Sequence, residues 1–148
     1  MISADQKIIQ FRHDSPLYQK AVELRYRVLR APLGLQFTQA ELERDSQAVH
    51  FGITEGKELV GVLSLHSGPN STVRMKQVAV ASSHQGTGYG SSLVEAAEKW
   101  AKEMKFERIQ LHARETALGF YLRHQYNIVG TSFIEVGIVH FLMEKFIK

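Results

Sequence analysis

The period of the apolar positions changes several times along the chain, and each change predicts an element. Lys7-Ile8-Ile9-Gln10-Phe11-Arg12 reads as a short first strand. Ser15-Pro16 is an N-cap followed by proline in the first turn, and Leu17, Ala21, Leu24 and Val28 then recur at helical spacing. A helix over 16–30 follows, supported by Glu23 four residues before Arg27 and ended by Pro32 and Gly34. Thr38-Gln39-Ala40-Glu41 has the form of a capping box and opens a short acidic helix. His50 to Thr54 and Glu58 to Leu65 flank Glu55-Gly56-Lys57, which is a hairpin signal. Ser67-Gly68-Pro69-Asn70-Ser71 is a turn, and Val73 to Ala81 is the strand after it. Leu93, Ala97, Trp100 and Met104 form one face of the next helix. The pattern then gives a strand at 108–112, a helix at 116–125 and strands at 127–133 and 137–146. The order β-α-(α)-β-β-β-α-β-α-β-β predicts one mixed α/β domain over 1–148, without repeats or linkers.

Composition narrows this picture. A chain of 148 residues has the usual size of one domain and can bury a real core. It has no cysteine, which excludes disulfides, thiolate metal sites and a cysteine nucleophile and fits a reducing compartment. No apolar stretch approaches the roughly 20 residues that span a bilayer. Met1-Ile2-Ser3-Ala4-Asp5-Gln6-Lys7 lacks a signal-peptide core, so a cytoplasmic location with no membrane partner is expected. The formal charge of +3 is modest and diffuse, which favours an anionic small molecule slightly. No basic cluster with interleaved aromatics occurs, so no nucleic-acid partner is expected.

The stretch richest in chemistry is Val78-Ala79-Val80-Ala81-Ser82-Ser83-His84-Gln85-Gly86-Thr87-Gly88-Tyr89-Gly90-Ser91-Ser92-Leu93. A strand stops at a glycine-dense turn, and the turn opens into a helix. Glycines at alternate positions let a ligand approach the amides closely. The first helical amides have no partner in the helix, and the macrodipole leaves partial positive charge there. Together these make a phosphate or pyrophosphate site. A P-loop would need Lys-Ser or Lys-Thr after a terminal glycine, and none follows Gly90. The dinucleotide fingerprint would need Gly or Ala where Ser91 stands, within a parallel βαβ unit, whereas the preceding strands read as antiparallel hairpins.

Gln85-Gly86-Thr87-Gly88-Tyr89-Gly90 resembles the signature of the GNAT superfamily of N-acetyltransferases: Gln or Arg, two residues, Gly, one residue, then Gly or Ala. Ala113-Arg114-Glu115-Thr116-Ala117-Leu118-Gly119-Phe120-Tyr121 is similar to a second family segment, matching at Ala117, Phe120 and Tyr121. There Arg114 replaces the usual Asn, and Gln125-Tyr126 stands where the family usually has Gly-Phe. Three further pieces look like the ElaA-like subgroup: Leu24 to Leu29, the Glu41/Glu43/Asp45…His50 set, and Glu135 to Met143. The resemblance implies a mostly antiparallel mixed sheet flanked by helices, with a splayed parallel pair at the cofactor cleft. It implies acetyl-CoA as co-substrate and no metal. The residues it assigns to coenzyme A are Val78, Ala79, Val80, Gln85, Gly86, Thr87, Gly88, Tyr89, Gly90, Ser91 and Phe120.

What the resemblance implies chemically is transfer of an acetyl group to a primary amine of a small molecule or peptide, by direct attack. The reaction needs a deprotonated amine, a stabilised oxyanion and a proton for the departing thiolate. By motif position Tyr121 is the candidate acid, and the Val78 amide the candidate oxyanion donor. A family Glu near the end of the strand holding Val78 is absent here; Arg74, Lys76 and Gln77 stand there. The remaining base candidates are His140, Glu135, His50, Glu41 and Asp45, with His140 carried forward. For the acceptor, Arg25, His50 and Glu135 are candidates, and Glu41, Glu43 and Asp45 read as a charged surface helix. The competing class is a module of the same fold that binds CoA or acyl-CoA without catalysis. The C-terminal strand is a candidate homodimer contact.

Overall fold

Seven strands form one sheet in the order β1-β2-β3-β4-β5-β7-β6 in a computed structural model that describes residues 6–147. The strands are β1 (Gln6–Phe11), β2 (Val49–Glu55), β3 (Glu58–Ser67), β4 (Thr72–Val80), β5 (Arg108–Arg114), β6 (Asn127–Glu135) and β7 (Ile138–Phe146). Every neighbouring pair is antiparallel except β4 and β5. The helices are α1 (Pro16–Arg25), α2 (Gln39–Arg44), α3 (Tyr89–Glu103) and α4 (Leu118–Arg123). The topology is thus a mixed α/β sheet with one parallel pair at its centre. Among the described residues, no helix is long and apolar enough to cross a membrane.

Local chemistry explains the boundaries. The Ser15 hydroxyl accepts from the Leu17 amide with Pro16 at the first helical position, and the Thr38–Glu41 capping box forms as its spacing predicts. The predicted 16–30 helix is α-helical only to Arg25; Tyr26–Arg30 widens into a π turn and Ala31–Leu33 tightens into a 3-10 turn. Helix α3 ends at Glu103 because Lys105 takes φ 69°. Met104 therefore lies outside the helix, 56% exposed, and the buried stripe is Leu93, Val94, Ala97 and Ala101. The last helix likewise stops before Gln125, which carries φ 67° at the position where a glycine would sit without strain.

The sheet separates two apolar layers. Leu93, Val94 and Ala97 of α3 pack with Val60, Leu63, Val73 and Met75 on one face. Ala21 and Leu24 of α1 pack with Leu59, Val62 and Ala79 on the other. Strand β4 changes face partway along. Ala79 lies opposite Val62 and Lys76 opposite Ser64, so Gln77 and Val78 together oppose Leu63 alone. Gln77 accommodates this bulge with φ 58°. Val78 and Val80 consequently pack on the α3 layer that holds Val73 and Met75, while Ala79 turns to α1. The parallel pairing of β4 with β5 covers only Thr72–Met75 against Arg108–Leu111. Past Met75 and Leu111 the two strands have no ladder between them, and the sheet opens.

Asp45, in the 3-10 turn after α2, was expected on a solvated helix face and is instead 2% exposed. Its carboxylate accepts from the Tyr18 hydroxyl at 2.6 Å and pairs with the Arg25 guanidinium at 2.9 Å. Arg25 is equally buried, its guanidinium lies 4.8 Å from the Phe37 ring centre, and its Nε has no partner among the described residues. A buried pair of this kind is fixed in place because losing one partner strands the other charge. Arg25→Leu should therefore lower unfolding free energy by about 3–5 kcal/mol in urea denaturation. The double variant Arg25→Leu/Asp45→Leu should recover part of that loss.

Candidate functional site

Where β4 and β5 part, a cavity of about 930 Å³ opens across the centre of the sheet. Its walls come from the end of the Tyr26–Arg30 turn, α2, β4, the loop into α3, β5, α4 and the β6–β7 end. Val78, Ala79, Val80, Gln85, Gly86, Gly88, Tyr89, Gly90, Ser91 and Phe120 all line it, as do Tyr121, Glu135 and His140. Three of the residues expected at the site do not line it. Thr87 turns its hydroxyl to the His84 carbonyl. Arg25 and His50 are buried behind the wall, and each bonds to Asp45, which does face the cavity. Burial and engagement with Asp45 correct their expected role as direct acceptor contacts.

The loop into α3 has an anion-binding build. Gly86 and Gly88 take φ 79° and 88°, a left-handed conformation that favours glycine, and a Cβ on either would meet no atom within 4 Å. Gly90 differs: a Cβ there would lie 3.4 Å from the Phe120 ring. Gly88 is the N-cap of α3 and supplies no side-chain cap, so the positive end of the helix dipole faces the cavity without a capping group from that position. The Gln85 amide donates to the Val80 carbonyl at 2.9 Å and ties the loop to the end of β4. Tyr89 takes the first position of α3. Its ring is buried, stacks on His84 and donates to Glu55 at 2.7 Å. Glu55 is held ionised below the usual carboxylate range, first by that hydroxyl and then by Gln6 and His84. Ser91 bonds His124, whose ring lies against Phe120.

Across the opening, Tyr121 is buried at 6% exposure in edge contact with Phe120 and Tyr126. Burial pushes its phenol pKa up, so the hydroxyl keeps its proton at neutral pH. His140, on β7, stacks on Phe133 and bonds the Ile138 carbonyl through Nδ1 at 3.0 Å. A carbonyl can only accept, so Nδ1 is the donor, and in the neutral imidazole the lone pair then lies on Nε2. Arg114 spans the cleft, donating to the Leu29 carbonyl at 2.6 Å.

Sequence reasoning missed two imidazoles. His112 of β5 lines the cavity and bonds Glu135 of β6 at 2.7 Å, a pairing created by strand order rather than by proximity in sequence. His66 of β3 faces the cavity beside Asp45, 3.9 Å away, with Ser64 Oγ at 3.1 Å. Burial first, and Lys76 second, push its pKa from 6.5 down to about 4. His50 is lowered too, mainly by burial.

The sequence profile of the Acetyltransferase (GNAT) family matches residues 13–126. The Bacillus subtilis protein YjcF, an uncharacterized N-acetyltransferase, is 28% identical over 106 residues, covering 71% of this chain and 74% of that protein. The matched stretch spans 63% of another B. subtilis acetyltransferase. Escherichia coli ElaA superposes with TM-score 0.83 at 17% identity, over 95% of this chain and 99% of that one. A GNAT-family acetyltransferase from Elizabethkingia anophelis, solved with acetyl-CoA bound, gives 0.73 at 16% identity, over 97% and 99%.

Acid stability should report His50, which is buried, and His66, which is half-buried. Each has a folded pKa below its unfolded value, so the unfolded chain binds more protons and folding weakens as pH falls. The stabilisation is present above about pH 6.5 and is lost toward pH 4, on the order of 2 kcal/mol from His66. Urea midpoints across that window should fall in the parent and flatten in His66→Gln.

Proposed function

The chain belongs to the acetyltransferase (GNAT) family, and on that premise we propose that it moves an acetyl group from acetyl-CoA to a primary amine by direct attack. We place it with the ElaA-like branch of the family, a reading supported by the matching pieces over 24–29, 41–50 and 135–143. The observation that carries the function is the uncapped start of α3, behind left-handed Gly86 and Gly88, at the mouth of the gap between β4 and β5. That mouth leads directly to Tyr121 and His140.

The residues present fit coenzyme A. The amides of Gly86 to Ser91 would hold its pyrophosphate through fixed N–H groups and helix dipole. The side of β4 beyond Met75 has no strand ladder beside it and offers backbone to the pantetheine arm. Bound acetyl-CoA supplies a thioester whose acyl carbon passes to the amine nitrogen as the C–S bond breaks.

The chain's own groups would do the rest. The Val78 amide, turned by the bulge at Gln77, donates to the carbonyl oxygen as charge gathers there. Tyr121, kept protonated by burial, gives its proton to the departing sulfur. The Nε2 lone pair of His140 takes the proton of the attacking amine. Arg25 and His50 act indirectly, by fixing Asp45 in the wall. Glu135 acts through His112.

Free-thiol release from acetyl-CoA should depend on added amine. Tyr121→Phe should lower kcat by about 10²-fold or more with acetyl-CoA affinity nearly unchanged. His140→Ala should lower the rate near neutral pH and recover at high pH, where the amine is already deprotonated. Amine-independent thiol release, or none, would refute transfer to an amine.

A further inference from the structure

The acceptor side of the cavity carries a charge imbalance. Its carboxylates are all engaged. Glu41 is held by Arg30 at 2.6 Å, Asp45 by Arg25 at 2.9 Å and Glu135 by His112 at 2.7 Å. Arg44, Arg74 and Lys76 also line the cavity, and none has a side-chain hydrogen bond or ion pair among the described residues. Arg74 and Lys76 stand two residues apart on β4, opposite His66 and Ser64, and so share one face before the bulge. Both are half-buried, and Arg44 approaches from the end of α2. Desolvation first, then Arg74 and Arg44, hold the Lys76 ammonium below its ordinary pKa, with Asp45 and Glu135 compensating less. Their place is separate from the Gly86–Gly90 loop, since the bulge and Val78 lie between the two along β4.

We propose that Arg44, Arg74 and Lys76 form a subsite for an oxyanion on the acceptor, so that the substrate is a small amine carrying a carboxylate or phosphate. This rests on the acetyl-transfer reading and names the acceptor class for that same cavity. Partly desolvated cations gain most from an anion that enters the cleft with the amine, and arginine can hold a carboxylate or phosphate with two parallel bonds. The carboxylates are held at closer range by Arg30, Arg25 and His112, and Asp45 and Glu135 offset the Lys76 charge only in part. A neutral amine would leave the cations unpaired when it closed the site to water.

The test compares amino carboxylates with one to four methylenes between the groups, the corresponding neutral amides, and aminoalkyl phosphates of the same lengths. Thiol release from acetyl-CoA is followed for each. At least one anionic amine should exceed its neutral counterpart tenfold or more in kcat/KM, and the better of the two anionic series identifies the oxyanion. Arg74→Gln/Lys76→Gln should bring that ratio toward one, and Arg74→Glu should shift preference to diamines. Should the double variant fold poorly, Arg44→Gln at the exposed rim should still lower the ratio severalfold. Equal use of anionic and neutral amines, or a ratio unmoved by these variants, overturns the subsite and leaves acetyl transfer standing. Absence of thiol release with every amine overturns both.

Discussion

Four residues of parallel ladder and one bulge govern the rest of this structure. Strands β4 and β5 pair from Thr72 to Met75 and then separate, because β4 carries an extra residue at Gln77–Val78 against Leu63 of β3. A continuous ladder would have covered the β4 edge and left no room at the centre of the sheet. The same extra residue reverses the inward and outward alternation, sending Ala79 to α1 and Val78 and Val80 to α3. Cavity, strand edge and entry to the glycine loop therefore have one structural cause.

The walls around that gap divide into two electrostatic regions. At the α3 end the charge is supplied by backbone: uncapped amides after two left-handed glycines, anchored from behind by Tyr89 on Glu55 and Gln85 on Val80. At the α2 end it is supplied by side chains, with Arg44, Arg74 and Lys76 facing carboxylates that are already bound. The first region suits a ligand whose phosphates need close backbone approach. The second can vary with the acceptor while the first is kept.

Asp45 shows how a short acidic stretch can be misread. Glu41, Glu43 and Asp45 look alike in sequence, yet Glu43 is exposed, Glu41 is clamped by Arg30, and Asp45 is buried under Tyr18, Arg25 and His50. Arg30, acting first, holds Glu41 ionised down to about pH 2. Arg25 illustrates the converse: an arginine on the first helix is ordinarily solvated, and only its partner on a distant turn makes burial tolerable.

The glycine loop, the Tyr121 segment, the Ser15 cap, the Thr38–Glu41 capping box and most strands were legible because each depends on local chemistry. Cap, turn and alternation act over a few residues, and Gln85 to Gly90 and Ala117 to Tyr121 carry their geometry within themselves. Only tertiary structure decided the Gln77 bulge, the pairing of His112 with Glu135, the burial of Arg25 with Asp45, and the meeting of Arg44 with Arg74 and Lys76. Those features join residues from separate strands and helices, so they are set by register, strand order and the low dielectric of a packed interior. None of the three can be read from neighbours along the chain.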